Sequence, residues 1–386
     1  MKEIKILKLG RLNIQPERWV DALETVKKVT VIMEPSKELQ NPSFEYFYLN
    51  LTSFINHVIF HFIQVYNEKQ NHAPIMRFLI WILRLVNRGK ILRIMKSLDY
   101  NEVHVSYNDF DESALFLLLF KPYLKKDVRI TRAYKESRPG YRFLEEQCFK
   151  LSDRIILNEK ENVDFFVNKY GETLFKGKEV IIEQDEDALG EKFIKGIEYA
   201  PKLSVQDGKK HVVILASKVF SDSLDTRSGS RLFYIPLIKS FIESGIVVHL
   251  HTLLIVPDKE GINQYEKLSQ EFPNSFIIES PLAFDGERWK EGYCTLSRYD
   301  YGILHNFIEN TSNSEFDKYN IPHRYFEYQL AHVVPILLEG KTIVMERVMK
   351  EKQSGVIYKS PKDLLAEHKI IFDIRSFNKY INSLYA

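Results

Sequence analysis

The chain has 386 residues, 45% of them hydrophobic and 27% charged, a length and composition typical of a folded protein with room for two domains. Lys and Arg number 54 against 52 Asp and Glu, so the formal charge of +2 gives no reason to expect nucleic acid as a partner. The two cysteines, Cys148 and Cys294, are too few for a disulfide framework, which makes a reducing compartment the default.

Residues 1–9 alternate charged and aliphatic side chains, as a first β-strand does. They lack the continuous apolar core of a signal peptide. We therefore expect a cytoplasmic protein, with the inner face of a membrane as an alternative location.

Short runs of β-type residues predict strands over 4–9, 29–33, 102–106, 128–131 and 154–157. A second series follows over 211–216, 247–252, 275–279, 301–305, 334–338 and 355–358. Stretches of helical length separate the runs, and this alternation favours parallel sheets with crossover helices. Residues 185–210 between the two series are rich in charge and glycine, and we interpret them as the linker of two α/β domains.

Residues 75–98 combine an acid-free run of large apolar side chains with a set of basic ones: Arg77, Arg84, Arg88, Lys90, Arg93 and Lys96. Charges at this density exclude a membrane-spanning helix, which needs about 20 nearly uncharged residues. Two interpretations stay open. The segment is either a helix in a bilayer interface, with Phe78 and Trp81 at headgroup depth, or a buried helix whose arginines extend to solvent.

Polar residues accompany and follow the predicted strand over 102–106. We expect His104, Asp109 and Asp111 to be candidates for general acid or base chemistry. A helix N-cap role for Asp111, with Asp109 merely solvated, is the plainer alternative. The Asp-x-Asp pair is also compatible with a divalent metal ion.

Residues 322–336 place a basic residue and a carboxylate on a short amphipathic segment that runs into a buried-strand pattern. In a helix, Arg324, Glu327 and Tyr328 would share one face. The helix start after Pro322 would offer backbone N–H groups and a positive dipole end to an anionic ligand. An ordinary surface ion pair is the alternative.

Three stretches together resemble GT-B-type glycosyltransferases, and in pattern the large glycosyltransferase family four. Residues 145–171 are similar to the close of that family's N-terminal domain. Residues 213–218 with 226–229 stand where the family has a first strand, a glycine-rich turn with a basic residue and a Lys-Gly pair. Residues 322–335 are similar to its signature from a glutamate to a Pro-Val pair. The resemblance covers most of the chain in consistent order.

The resemblance implies an α/β protein of GT-B type, with two Rossmann-like domains whose parallel sheets face each other across a cleft. Residues 1–195 would form the acceptor-binding domain and residues 196–375 the nucleotide-sugar-binding domain. Residues 376–386 would form a terminal helix that packs back toward the first domain.

The resemblance also implies roles for single residues. Lys218 and Arg227 would bind the donor diphosphate, whose charge grows as the glycosidic bond breaks. Arg324 would supplement them, and Glu327 would accept hydrogen bonds from the ribose hydroxyls. Tyr319 stands where many relatives have a second glutamate. The resemblance implies no metal and no cofactor beyond the nucleotide-sugar co-substrate.

We therefore expect a transferase that moves a sugar from a nucleotide-sugar donor to a hydroxyl of a glycan or lipid-linked acceptor. Surface polysaccharide or other glycan biosynthesis is the expected setting, with peripheral membrane contact through residues 75–98. The alternative is a noncatalytic nucleotide- or glycan-binding partner subunit on the same scaffold, because a fold does not fix a function.

Overall fold

The protein is described by a computed structural model. The described residues are 5–9, 28–33, 44–48, 62, 73–97, 102–106, 118–123, 129–134, 143–157, 159–182, 194–222, 232–282, 284, 288–305, 318–319 and 321–372. For the strands before residue 140 the description covers the backbone alone. These residues form two compact units, one within Met1–Gly190 and one within Glu191–Arg375.

The first unit contains a seven-stranded parallel sheet in the order β3-β2-β1-β4-β5-β6-β7. Its strands are β1 (Lys5–Leu9), β2 (Lys28–Met33), β3 (Phe44–Tyr48), β4 (Glu102–Ser106), β5 (Arg129–Tyr134), β6 (Arg154–Leu157) and β7 (Glu179–Ile182). The five strands predicted in this half are present, with ends shifted by up to three residues. β3 and β7 are additional strands that the sequence pattern did not predict.

The described helices of the first unit are α1 (Ala73–Ser97), α2 (Phe143–Leu151) and α3 (Lys160–Tyr170), with 3₁₀ turns at Lys121–Tyr123 and Glu172–Leu174. Phe149 of α2 packs against Phe166 of α3, with ring centroids 4.6 Å apart. Both side chains are buried, so this aromatic pair joins the two helices in the core.

Helix α1 has one buried and one exposed apolar side. Met76, Ile80, Leu83 and Ile91 recur at helical spacing and are buried. Phe78, Trp81, Leu85 and Val86 are each more than half exposed. Within the described part of the chain, no helix is both long and apolar enough to cross a bilayer.

The second unit contains a six-stranded parallel sheet in the order β10-β9-β8-β11-β12-β13. Its strands are β8 (His211–Phe220), β9 (Val247–Val256), β10 (Phe276–Glu279), β11 (Tyr301–Ile303), β12 (Val334–Leu338) and β13 (Val356–Tyr358). All six predicted strands are present. β8 and β9 each extend four residues further than predicted, because they continue to pair with each other up to Phe220 and Val256.

The helices that the structure describes in full in this unit are α4 (Ser204–Asp207), α5 (Ile235–Glu243), α6 (Gln264–Glu271), α7 (Trp289–Leu296), α8 (His323–Leu330) and α9 (Val344–Lys352), with a 3₁₀ turn at Pro361–Leu365. A buried core joins α5 and α6 to one face of the sheet. Phe241 of α5 and Val248 of β9 belong to it, and both are fully buried. In this core the apolar residues that recur every three to four positions in the helices pack against those that alternate along the strands.

Part of the segment interpreted as a linker is built into the second unit. The Lys202 ammonium donates to the Tyr299 and His332 carbonyls at 2.7 and 2.8 Å. Burial lowers the pKa of Lys202 to about 8. Tyr199 stacks on the His332 ring, with centroids 4.3 Å apart. The linker interpretation is therefore wrong for residues 199–207, which fold onto the second sheet's loops.

The C-terminal residues 376–386, predicted to form a terminal helix, lie outside the described residues. The last helical element described after β13 is the 3₁₀ turn, which begins at a capping box. Ser360 accepts from the Lys362 N–H, and Asp363 accepts from the Ser360 N–H at 2.9 Å.

Candidate functional site

The strand order of the second sheet creates a crevice between β8 and β11. The chain leaves β8 toward β9 on one side and leaves β11 toward β12 on the other. In open parallel sheets, ligands bind at such a switch point, outside the carboxyl ends of the strands. The carboxyl ends of β8 and β11 are therefore the place where a site is expected.

Arg324 spans this switch point. Its guanidinium donates to the Leu215 carbonyl of β8 at 3.0 Å and to the Leu304 carbonyl after β11 at 2.9 Å. A further hydrogen bond of 3.3 Å reaches the Tyr234 hydroxyl. A planar guanidinium can bind two acceptors on two strands at once, which a single ammonium group cannot do in the same geometry. Arg324 thus fixes the spacing of the strands where their pairing ends.

Helix α8 carries Arg324 and lies close to β11. Tyr328, fully buried, approaches Gly302 so closely that a Cβ atom at Gly302 would lie 2.5 Å from the Tyr328 ring. The Tyr328 hydroxyl donates to the Ile303 carbonyl at 3.3 Å. The segment is helical, as the sequence predicted. The prediction that Tyr328 shares the polar face was wrong, because its ring fills the space left by the missing Gly302 side chain.

Glu327, one helical turn after Arg324, is held by a residue that sequence reasoning missed. The Tyr293 hydroxyl of α7 donates a short hydrogen bond to Glu327 Oε2. Tyr293 is fully buried, whereas Glu327 is half-buried. The two residues are 34 positions apart, so no local pattern could have paired them.

His305 follows β11 directly and was predicted only as a strand end. Its imidazole is almost fully buried, and Nε2 lies 3.1 Å from the Tyr358 hydroxyl. Burial, reinforced by the nearby Arg324 charge, lowers its pKa to about 3. The switch point therefore contains a neutral imidazole next to a guanidinium at neutral pH.

Of the two cations first predicted to bind the diphosphate, the structure describes Lys218 and not Arg227. Lys218 was expected in a turn after the first strand, but it lies inside β8, in register with Leu254 of β9. Its ammonium stands 4.6 Å from the centre of the Phe220 ring. The turn prediction was wrong because Ala216 and Ser217 continue the strand. Arg227 lies outside the described residues.

The candidates in the N-terminal half are mostly beyond what the structure describes. His104 lies in β4, in backbone register with Lys8 of β1 and Thr131 of β5. Asp109 and Asp111 lie outside the described residues. Among the residues that are described, no three His, Cys, Asp or Glu side chains cluster closely enough to hold a metal ion.

Two of the solved structures that resemble this chain do so over nearly its whole length. One is an α,α-trehalose 6-phosphate synthase of Burkholderia multivorans, with 11% identity and a TM-score of 0.55 over 94% of this chain and 87% of that one. The other is a UDP-forming α,α-trehalose-phosphate synthase of Burkholderia vietnamiensis, with 9% identity and a TM-score of 0.51 over 100% and 94%. No protein-family model matches the sequence, and no curated protein matches it. These likenesses show the fold, which is that of GT-B glycosyltransferases.

Proposed function

We propose that the protein is a nucleotide-sugar-dependent glycosyltransferase, a divergent relative of glycosyltransferase family four. One observation carries the proposal: in a GT-B fold, Arg324 stands at the switch point of the second sheet and Glu327 follows one turn later. That edge offers a cation and a carboxylate, the two groups that a nucleoside diphosphate requires at its phosphates and ribose. The similar UDP-forming synthase releases such a nucleotide.

In this proposal the second unit binds the donor. Glu327 accepts hydrogen bonds from the ribose hydroxyls, while Lys218, Arg227 and Arg324 supply positive charge for the diphosphate. Charge builds on the leaving diphosphate as the bond to the sugar breaks, so fixed cations lower the barrier more than they strengthen ground-state binding. The first unit binds the acceptor, and His104, Asp109 and Asp111 are its acid or base candidates.

The test is a panel of UDP-, ADP-, GDP-, CDP- and TDP-sugars. We expect the nucleotide sugars of one base to raise the melting temperature of the full-length protein. The protein should also hydrolyse one of them slowly in water, releasing nucleoside diphosphate. The variant Glu327→Gln should lower affinity for that nucleotide about fivefold or more, since a charged hydrogen bond is lost. The absence of stabilisation by every nucleotide would overturn the proposal.

A second candidate function has its own supporting observation. The described hydrogen bonds of the Arg324 guanidinium go to two carbonyls and a hydroxyl of the protein itself, which suits a structural role as well as a ligand-binding one. A noncatalytic nucleotide- or glycan-binding partner subunit would then bind the nucleotide without turnover. Stabilisation by a nucleotide sugar, with no diphosphate release in the presence of any acceptor extract, would favour this alternative.

We further propose that α1 brings the protein to an anionic membrane surface carrying a lipid-linked acceptor. Phe78 and Trp81 stack on its exposed side, with centroids 6.1 Å apart, and Arg77, Arg88 and Arg93 are exposed on the same helix. Exposed aromatic rings beside exposed basic side chains suit a lipid headgroup region. Arg84 has a different task, because its guanidinium donates to the Leu118 carbonyl at 2.5 Å.

Flotation with liposomes that contain phosphatidylglycerol tests this contact. The double variant Arg88→Gln/Arg93→Gln should lose most of the binding, and Trp81→Ser should weaken it without changing charge. The matched control is Lys160→Gln/Lys176→Gln, which removes two exposed charges elsewhere in the first unit. Equal flotation of all variants would reject the proposal.

A further inference from the structure

Tyr293 is the residue that positions the Glu327 carboxylate. The Tyr293 hydroxyl donates to Glu327 Oε2 across the α7–α8 contact. A free glutamate side chain loses up to about 2 kcal/mol of rotamer entropy when a ligand immobilises it. A carboxylate that already accepts one hydrogen bond in the correct rotamer has lost part of that freedom before the ligand binds.

The Tyr293 ring is itself fixed. It is fully buried and packs between Phe284, at 5.1 Å between centroids, and Trp289, at 6.3 Å. Phe284 belongs to the connection that follows β10, so the ring links the carboxyl edge of the sheet to α8. A hydroxyl on so rigid a support has little choice of direction, which is the requirement for orienting a neighbouring group.

We propose that Tyr293 is a positioning residue for ribose recognition: it holds Glu327 in the orientation that accepts the ribose hydroxyls of the donor nucleotide. The inference rests on the donor-binding role proposed for Glu327. It adds the residue that sets the selectivity of that carboxylate for ribose over deoxyribose. Tyr293 does not contact the ligand and acts through Glu327 alone.

The experiment compares ribose preference. The nucleoside diphosphate that most stabilises the wild-type protein, among UDP, ADP, GDP, CDP and TDP, is measured beside its 2′-deoxy and 3′-deoxy counterparts by calorimetry; for TDP the ribose form is 5-methyl-UDP. We expect wild type to prefer the ribose form, and Tyr293→Phe to reduce that preference about fivefold, the value of one ordinary hydrogen bond. Affinity for each deoxy form should fall less than affinity for the ribose form, because each deoxy form lacks one of the two hydroxyls that Glu327 serves.

The matched control is Tyr325→Phe. Tyr325 lies on α8, is fully buried and donates to Ser354 Oγ at 2.8 Å, so a buried tyrosine hydroxyl is removed from the helix that carries Glu327 without touching that carboxylate. Its ribose preference should equal that of wild type. A merely structural hydroxyl at position 293 would change the melting temperature and all three affinities together.

Each outcome separates this inference from the function it rests on. A preference lost in Glu327→Gln but intact in Tyr293→Phe overturns the inference and leaves the proposed function standing. An absence of any ribose preference in wild type overturns the role of Glu327 and this inference together. Should Tyr293→Phe unfold, Phe284→Leu loosens the support of the Tyr293 ring and leaves Glu327 intact, and full retention of the preference in that variant would equally overturn the inference.

Discussion

His211 and His249 share a hydrogen bond inside the second unit: Nδ1 of His211 lies 2.9 Å from Nε2 of His249. Each imidazole faces a carboxylate with its other nitrogen. His211 Nε2 is 3.1 Å from Asp207, and His249 Nδ1 is 3.0 Å from Glu279. Both imidazoles are buried, so a chain of four ionisable groups crosses the sheet from α4 to the end of β10.

The number of protons in this row of four side chains makes its hydrogen bonding depend on pH. Its three hydrogen bonds need three protons, but two neutral imidazoles supply two. The pKa of Asp207 is lowered, first by the Lys209 backbone N–H, and that of Glu279 is lowered by its bond from His249. Both carboxylates are therefore ionised acceptors. Burial lowers the pKa of His249, so the third proton is absent at alkaline pH.

We expect the effect of Glu279→Gln on stability to depend on pH. At pH 8 the amide can donate to His249 Nδ1, so the variant should be at least as stable as wild type. As pH falls toward the lowered pKa of His249, imidazolium forms and closes the wild-type chain, so the stability of the variant relative to wild type should fall between pH 8 and pH 5. Urea denaturation at both pH values measures this, with exposed Glu271→Gln as the control. Neighbouring His251, Tyr299 and Arg298 are unchanged in both variants, and an equal difference at the two pH values would contradict the proton count.

A second pH effect is expected at His305. The folded pKa of about 3 lies below the ordinary value of about 6.5, so the unfolded chain binds the proton first as pH falls. The stability of the second unit is therefore highest above pH 6.5 and is lost as pH falls from 6.5 toward 3. The loss attributable to this residue approaches about 1.4 kcal/mol per pH unit.

The variant His305→Gln isolates that effect, because its amide can still reach the Tyr358 hydroxyl and does not titrate. We expect wild type to lose more stability than the variant between pH 7 and pH 4.5, measured by denaturant unfolding at each pH. The control is His368→Gln, which removes a half-buried histidine elsewhere in the same unit. Parallel curves for wild type and His305→Gln would show that His305 is not the titrating group.

Arg324→Lys keeps the charge and removes the planar fork. We expect a loss of about 2 kcal/mol in the free energy of unfolding, since one ammonium cannot bind the Leu215 and Leu304 carbonyls together. Nucleotide affinity should fall as well, because β8 at Leu215 and the chain just after β11 lose their fixed spacing. Chemical denaturation and calorimetry measure the two effects. Exposed Arg298→Lys is the control. If Arg324→Lys had the stability and affinity of wild type, only the charge of Arg324 would matter and its two carbonyl bonds would not.

Gly302→Ala tests the contact between α8 and β11. The added methyl group would lie 2.5 Å from the Tyr328 ring, so the helix or the ring must move. We expect a loss of about 1–3 kcal/mol in the free energy of unfolding. The control is Gly89→Ala in α1, where nothing lies within 4 Å and the helix should gain about 0.5–1 kcal/mol. A neutral Gly302→Ala would mean that α8 is not held at this distance.

Hydrophobic periodicity was sufficient to predict much of the fold. β4, β6 and β12 have the predicted bounds, because their apolar runs are short and end at clear turn signals. β8 and β9 were predicted too short, since their last four residues depend on pairing with each other rather than on a local pattern. The same non-local pairing placed Lys218 in a strand instead of a turn.

The candidate site divides in the same way. The sequence by itself determined that α8 is a helix with Arg324 and Glu327 one turn apart, because spacing along a helix is a local property. Only the tertiary structure decided that Arg324 bridges β8 and β11, that Tyr293 holds Glu327, and that His305 is a neutral buried imidazole. These relationships join residues far apart in the chain, and their energies depend on burial and on distances that no local sequence pattern encodes.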